Sequence, residues 1–173
     1  MARLDCNRHR ATERAQCLLT SATVRGDANL GNVLIRDRDP CFIDYAMSGP
    51  GHPCFDLVRL ESAVMFQCFR AVADEQRIAN LIELLAADGP SEDEIRRQFP
   101  ALMASAANRL AVRTSLFCRE VALRVLRTFG GGLPDYIAVR LIVAIQSLAF
   151  PHLQSAIARA TISGLSDLIT EIR

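Results

Sequence analysis

The chain contains no lysine and no tryptophan, and aromatic residues make up only 6% of its 173 residues. All 20 basic residues are therefore arginines. The missing lysine excludes a Walker A phosphate loop, which requires Gly-Lys-Ser/Thr, and every mechanism whose lysine must come from this chain. Because 19 acidic residues leave a net charge of only +1, we expect no general attraction to nucleic acid or to an anionic membrane.

The six cysteines show no C-x-x-C spacing, and only three histidines accompany them. A zinc site is therefore not expected, and the cysteines are interpreted as reduced thiols. Met1–Thr20 has no apolar run long enough for a secretory signal. The longest apolar stretch, Ile137–Phe150, contains Arg140 and Gln146 and is too short to span a bilayer. These features predict a cytoplasmic protein with no membrane partner.

The chain changes character near Pro53, with short elements before it and helices after it. Two β-type runs at 33–35 and 41–43 are separated by a polar turn, which predicts a β-hairpin. The segment Ser48–Pro53 holds two glycines and two prolines and predicts an irregular loop. Since half of the residues are apolar, the length and composition predict one globular domain that is mainly α.

Hydrophobic periodicity and turn residues place the helices of the second part. We expect helices from Phe55, over Glu75–Ala87, after a Ser91-x-x-Glu94 capping box, over Pro100–Phe129 up to three glycines, from Pro134, and a short one over Leu165–Ile172. A helix tail is also predicted at Thr12–Ser21.

Three polar residues flank the predicted hairpin. Asp27 and Asn32 are spaced D-x4-N just before the first strand, and Asp44 ends the second. Antiparallel pairing would bring Asn32 and Asp44 to the same end. Carboxylate and amide oxygens suit Mg²⁺, and Asp27 would remain free to accept a proton from a hydroxyl. Ordinary turn chemistry is the simpler explanation of the same residues, because Asp and Asn favour loops.

This segment resembles the catalytic core of the aminoglycoside phosphotransferase and choline kinase superfamily, a branch of the kinase-like fold. That family reads H-G-D-x4-N, strand, turn, strand, I-D-F/W and then G-D/H-P-x-x-D-L. The corresponding runs are Arg25-Gly26-Asp27, Asn32, Ile43-Asp44-Tyr45 and Gly51-His52-Pro53-Cys54-Phe55-Asp56-Leu57. The sequence from Gly49 to Glu61 is also similar to that of kinase-like domains in bacterial ternary-complex conflict systems.

The resemblance implies a Mg²⁺-dependent transfer of the ATP γ-phosphoryl group to a hydroxyl of a small molecule or protein. By that resemblance, Asp27 is the catalytic base, and Asn32 and Asp44 are the Mg²⁺ ligands. Asp56, at a helix N-terminus, would brace the catalytic loop. Acceptor sites of related kinases lie among the C-terminal helices, which makes Arg109 and Arg113 weaker candidates for substrate contacts.

Two features depart from the family pattern. Arg25 stands where the family has histidine, and it could pair with Asp27 or Asp44. Only 23 residues precede the matching segment, so we expect the nucleotide-binding N-terminal lobe to be absent. The predicted fold is the C-terminal lobe of a kinase-like fold. We expect residues 1–23 to form the tail of a lobe-connecting helix and residues 61–173 to form a helical subdomain. Residues 24–60 would contain the catalytic loop, the metal-binding hairpin and the start of the following helix.

Phosphotransferase activity is not the only hypothesis that fits these site residues. The alternative is a catalytically inactive pseudokinase or interaction module, which the missing lysine and Arg25 favour and the intact Asp27, Asn32 and Asp44 oppose. The seven arginines between Ile95 and Arg127 are interpreted as a solvated helix face. An exposed apolar hairpin edge around Val33, Ile35 and Phe42 predicts a homodimer or contact with the missing lobe.

Overall fold

The computed structural model describes residues 22–44, 46–69, 74–87, 89–149 and 155–171. The described residues are mainly helical, with two small antiparallel sheets, as expected for a mainly α chain. The strands are β1 (Ala22–Val24), β2 (Val33–Arg36), β3 (Asp39–Phe42) and β4 (Gly49–Gly51). The helices are α1 (Phe55–Cys68), α2 (Glu75–Ala86), α3 (Glu92–Gln98), α4 (Pro100–Met103), α5 (Ala106–Thr128), α6 (Leu133–Ser147) and α7 (Ser155–Glu171).

The predicted hairpin is formed by β2 and β3. Val33 pairs with Phe42, and Arg36 pairs with Asp39. The two turn residues between them, Asp37 and Arg38, have φ angles of 53° and 74°. Positive φ at both central positions is typical of a type I′ turn, whose twist matches that of the flanking strands. The turn thus fixes the register that aligns the far ends of the hairpin.

The expectation of an irregular loop at Ser48–Pro53 is wrong for its central residues. Gly49–Gly51 forms β4 and pairs with β1, so that Val24 lies opposite Gly49 and Thr23 opposite Pro50. Proline is tolerated here because a two-stranded ladder has only edge strands. This second sheet brings the chain after the hairpin back beside the loop that follows β1.

The helix boundaries differ from the expectation at two places. The helix expected from Pro100 is broken at Ala104, because the Ser105 hydroxyl accepts a hydrogen bond from the Asn108 N–H and starts α5 as a new helix. The last helix is not short, since α7 begins at Ser155. The predicted tail at Thr12–Ser21 lies outside the described residues.

The core lies among the helices. α1 packs against α5, α2 against α7, and α6 against α7. The fully buried side chains include Phe69, Ile78, Leu81, Leu126 and Tyr136. The hairpin stands away from this core, since Leu34 is 53% exposed and Ile35 69% exposed.

No described helix combines the length and the apolar character that crossing a membrane requires. The predicted division into segments 1–23, 24–60 and 61–173 stays a prediction.

Candidate active site

The loop after β1 is held by the first turn of α1. The Asp56 carboxylate accepts the Arg25 backbone N–H through Oδ2 at 2.6 Å and the Gly26 N–H through Oδ1 at 2.9 Å. A helix start favours a negative charge and presents its side chains to the preceding loops. Asp56 thereby joins two segments 30 residues apart and fixes the backbone that precedes Asp27.

Glycine is required at position 26. Gly26 has a φ of +81°, and a Cβ there would lie 2.5 Å from the Met47 carbonyl oxygen. Residues other than glycine rarely adopt that φ, and the close backbone would exclude any side chain. The loop therefore passes against the segment after the hairpin before it reaches Asp27.

The Asp27 carboxylate receives three side-chain donors. Asn29 Nδ2 lies 2.9 Å from Oδ1, Asn32 Nδ2 lies 2.8 Å from Oδ2, and Arg59 Nη2 lies 3.1 Å from Oδ1. The Asn29 hydrogen bond is the main reason that the pKa of Asp27 lies below its usual value. Partial burial opposes this shift, whereas Arg59 and Asn32 add to it. Asp27 is thus held as an oriented carboxylate.

Asn32 and Asp44 lie at the same end of the hairpin. The Ile43 N–H donates to the Asn32 carbonyl at 2.9 Å and continues the ladder beyond the Val33–Phe42 pair. The Asn32 Nδ2 group donates both to the Asp27 carboxylate and to the Asp27 carbonyl, at 2.8 and 3.1 Å. Since the amide nitrogen is used in these bonds, the amide oxygen is the atom left to accept or to ligate.

Asp44 follows β3 in a strained conformation. Its φ is 59°, in the left-handed region. Residues other than glycine adopt this conformation at an energetic cost, and those that do so are often found at functional sites. Its exposed carboxylate accepts the Ala46 N–H at 3.3 Å, and Arg25 Nη2 donates to its carbonyl oxygen at 3.0 Å. Arg25 is buried, with 9% of the residue exposed, so its guanidinium links the loop after β1 to the backbone of Asp44.

The side chains at the hairpin end fit a hard cation. Asp44 offers a solvent-facing carboxylate, and Asn32 offers an amide oxygen. These are oxygen ligands of the type that Mg²⁺ prefers, with one or two protein ligands and the rest water or phosphate. Among the described residues, no three His, Cys, Asp or Glu side chains form a metal-binding group. A cation at this end would therefore have few protein ligands, and water or phosphate would complete its coordination shell.

Arg109 and Arg113 lie on α5 and contact other groups. Arg109 Nη1 donates to the carbonyl oxygens of Met103 and Ala104, both at 2.8 Å. Arg113 forms a two-pronged ion pair with Glu92, with N–O distances of 2.9 and 3.1 Å. These contacts cap α4 and tie α5 to α3, so the structure does not bring either arginine to the Asp27 carboxylate.

His52 also remains apart from the Asp27 carboxylate. Its Nδ1 lies 3.2 Å from Cys54 Sγ, and burial lowers the pKa of the ring. Burial raises the pKa of the Cys54 thiol to about 12. A thiol that stays protonated is a poor nucleophile, so this contact is one of packing.

Sequence reasoning did not assign roles to Asn29 and Arg59. Arg59 follows Asp56 by three residues on α1, so both side chains lie on the same face of the helix. That spacing is the signal that could have linked Arg59 to the catalytic loop. Asn29 offered a weaker signal, since its side chain also accepts the Gly31 N–H at 2.8 Å as an ordinary turn residue does.

A buried polar network on the opposite side of α1 was also not foreseen. Glu61 is 1% exposed and accepts the Ser115 hydroxyl, the Tyr136 hydroxyl at 2.7 Å and Arg140 Nη2 at 3.1 Å. Burial raises the pKa of Tyr136 well above its usual value, so its hydroxyl remains a donor. The network joins α1, α5 and α6 and fixes the rotation of the helix that carries Asp56 and Arg59.

Comparison with known proteins identifies the family. A family model described as the phosphotransferase enzyme family matches residues 7–95. That range contains the catalytic loop, the hairpin and α1, and it covers slightly more than half of the chain. No curated protein matches the chain significantly, and no solved structure does so. The chain belongs to the phosphotransferase enzyme family, within the aminoglycoside phosphotransferase and protein kinase-like superfamily.

Proposed function

We propose that the chain carries the base and the metal ligands of a Mg²⁺-dependent phosphotransferase that moves the ATP γ-phosphoryl group to a hydroxyl. One observation carries the proposal: Asn32 donates directly to the Asp27 carboxylate at 2.8 Å, and its carbonyl accepts the N–H of Ile43, the residue before Asp44. A proton acceptor and two oxygen ligands thus share one end of the hairpin.

In the proposed phosphoryl transfer, each side chain of the site has a separate role. Asp27 orients the acceptor hydroxyl and takes its proton, and Asn29 and Asn32 hold its carboxylate in place. Asn32 Oδ1 and the Asp44 carboxylate would hold Mg²⁺, which supplies charge neutralisation on the phosphates when bound. Arg25 and Asp56 keep the backbones of the two loops together.

A lysine contact to the nucleotide phosphates is one that these 173 residues cannot supply. The chain has no lysine, so a lysine contact to the phosphates must come from a separate segment. The exposed Leu34 and Ile35 side chains lie on opposite faces of the hairpin and offer apolar surface to a nucleotide-binding lobe or to a second copy of the chain. The proposed assignment is therefore the C-terminal lobe of a kinase-like fold.

An inactive module is the second candidate, and Arg25 is the observation that favours it. A buried guanidinium replaces the family histidine and donates to Asp44, and the chain lacks lysine. This candidate keeps the loop geometry without using it for metal-dependent transfer. The inactive module differs from the active enzyme in that phosphate would not strengthen the binding of Mg²⁺ at the site.

The test is a Mg²⁺ titration of the chain with and without tripolyphosphate, followed by NMR signals of Asn32 and Asp44. Tripolyphosphate should tighten Mg²⁺ binding, because phosphate oxygens complete the metal shell. Asp44→Asn should abolish the coupling. Asp39→Asn, at the turn end of the same hairpin, should leave it intact. Independent binding of the two ligands would favour the inactive module.

A further inference from the structure

The two aspartates of the site have different electrostatic partners. Asp27 forms an ion pair with Arg59 at 3.1 Å, and the two side chains are 32% and 22% exposed. Within the described part of the chain, the Asp44 carboxylate has no ion pair and accepts only the Ala46 N–H. The Arg59 guanidinium therefore pairs with the carboxylate of Asp27 and not with that of Asp44.

We propose that Arg59 is a positioning residue that keeps Asp27 off the divalent cation, so that the cation is held by Asn32 and Asp44. This inference rests on the proposed function, in which Mg²⁺ and the acceptor hydroxyl use the same end of the hairpin. In this proposal, Arg59 keeps the base, Asp27, distinct from the metal ligand, Asp44.

The need for such a residue follows from how close the ligands lie. Asn32 touches the Asp27 carboxylate directly, so a cation on the amide oxygen of Asn32 has a second carboxylate within reach. A hard cation would take that carboxylate in place of water. An Asp27 carboxylate bound to metal would no longer be available to a hydroxyl proton.

Arg59 opposes that capture in two ways. Its guanidinium occupies Asp27 Oδ1 together with Asn29, so a cation could take that oxygen only by displacing a charged donor, and bidentate capture of the carboxylate is opposed. Its positive charge also repels a divalent ion at close range in a partly buried site. Among the described residues, no charged side chain donates to the Asp44 carboxylate, since Arg25 donates to the Asp44 carbonyl oxygen instead.

A merely structural ion pair is the competing explanation, since Arg59 also ties α1 to the catalytic loop. However, Asp56 already fastens that loop through two backbone hydrogen bonds. A structural role would change stability but not the site at which Mg²⁺ binds. The location of Mg²⁺ is therefore the readout that separates the two explanations.

The experiment is a Mg²⁺ titration of the whole chain, followed by the carboxyl carbon signals of Asp27 and Asp44. The variants are Arg59→Met, Arg59→Gln and Arg59→Lys. Arg36→Met is the control, because Arg36 is an exposed hairpin arginine with 89% of its side chain accessible. Thermal melts establish that each variant is folded, and a folded Arg59→Gln protein suffices if Arg59→Met is not.

In the unsubstituted chain, Asp44 and Asn32 signals should shift to saturation and Asp27 should shift little. In Arg59→Met and Arg59→Gln, Asp27 should join the same binding curve, and the Mg²⁺ dissociation constant should fall about three- to tenfold. Arg59→Lys should keep the original pattern, and Arg36→Met should change the constant by less than about twofold.

Two outcomes would overturn this inference alone: an unchanged Asp27 response in the neutral variants, or an Asp27 response in the unsubstituted chain as large as that of Asp44. Both leave the proposed function standing, because Mg²⁺ still binds at the hairpin end. Absence of any saturable shift at Asn32 and Asp44 in the unsubstituted chain would overturn the proposed function and this inference together.

Discussion

At the scale of single residues, Asp56 contributes more to the site than its distance from the hairpin suggests. It touches neither Asn32 nor Asp44, yet it accepts two consecutive backbone N–H groups of the catalytic loop. Without it, these donors would lie partly buried with no acceptor. The position of Asp27 therefore depends on a carboxylate that takes no part in the proposed chemistry.

Asp56→Ala should lower the free energy of unfolding by about 2 kcal/mol, since two partly buried donors lose their charged acceptor. Urea denaturation measures the change. Asp93→Ala is the control, because Asp93 is 88% exposed on α3, and it should cost less than about 0.5 kcal/mol. Equal stability of Asp56→Ala and the unsubstituted chain would remove the bracing role.

Two buried thiols predict a loss of stability at alkaline pH. Burial raises the pKa of Cys54 and of Cys118 to about 12, whereas an exposed thiol ionises near 9.0. The unfolded chain therefore loses these protons first as pH rises. Each thiol should lower the free energy of unfolding by up to about 1.4 kcal/mol per pH unit above pH 9 and below the folded pKa.

Urea denaturation between about pH 8 and pH 10 measures this slope. Cys118→Ala should make it shallower. Cys41→Ala, which removes an exposed thiol, is the control variant. A slope that is the same in both variants would contradict the assignment.

The placement of Asn32 and Asp44 could be predicted because it depends on local order. One residue precedes a strand, the other follows its partner, and a two-residue turn allows one register. The ion pair between Arg59 and Asp27 could not be predicted in the same way. It depends on the angle at which α1 meets the loop, and that angle is set by packing between distant segments.

At the scale of elements, α1 is held from both sides. One face carries Asp56 and Arg59 toward the catalytic loop, and the other carries Glu61 into the network with Tyr136 and Arg140. A buried charge pair is costly to break because the remaining charge has no solvent. The network therefore acts on the orientation of the site through the helix.

Arg140→Met should destabilise the chain by about 3–5 kcal/mol, because it leaves the Glu61 carboxylate buried without its counter-charge. The double variant with Glu61→Met should lose much less than the sum of the two single variants. Chemical denaturation of all four proteins gives the coupling energy. The exposed pair Glu120 and Arg124, at 2.8 Å, is the matched cycle and should couple by about 0.3–0.5 kcal/mol. Additive losses at Glu61 and Arg140 would contradict the account.

Element prediction succeeded where the pattern was periodic and failed where pairing was distant. The helix Glu75–Ala86 was foreseen, as Glu75–Ala87, because Ile78, Leu81, Ile82 and Leu85 repeat on one face. The strand Gly49–Gly51 was missed because its glycines and proline oppose strand formation. Its pairing with Ala22–Val24 is a tertiary contact that overrides the local preference.

At the scale of the whole molecule, the chain offers the proposed base and the proposed metal ligands but no lysine for the phosphates. Phosphoryl transfer depends on positioning and charge neutralisation, so a nucleotide held only by a weak cation site is poorly aligned. Arginine is no simple substitute, because its planar fork differs from a compact ammonium group.

Residues 1–173 with Mg-ATP should therefore hydrolyse ATP no faster than the Asp27→Ala variant. Release of phosphate over time measures the rate, and calorimetry measures ATP affinity. Micromolar ATP affinity together with turnover that depends on Asp27 would show that these residues contain a complete nucleotide site.

The central claim is that Asn32 and Asp44 hold a cation at the hairpin end beside Asp27. Mn²⁺ accepts the same oxygen ligands as Mg²⁺ and broadens NMR signals near its site. We expect the strongest broadening at Asn32 and Asp44, and we expect Asp44→Asn but not Asp39→Asn to remove it. Broadening centred on the acidic segment Glu92–Glu94, unaffected by Asp44→Asn, would contradict it.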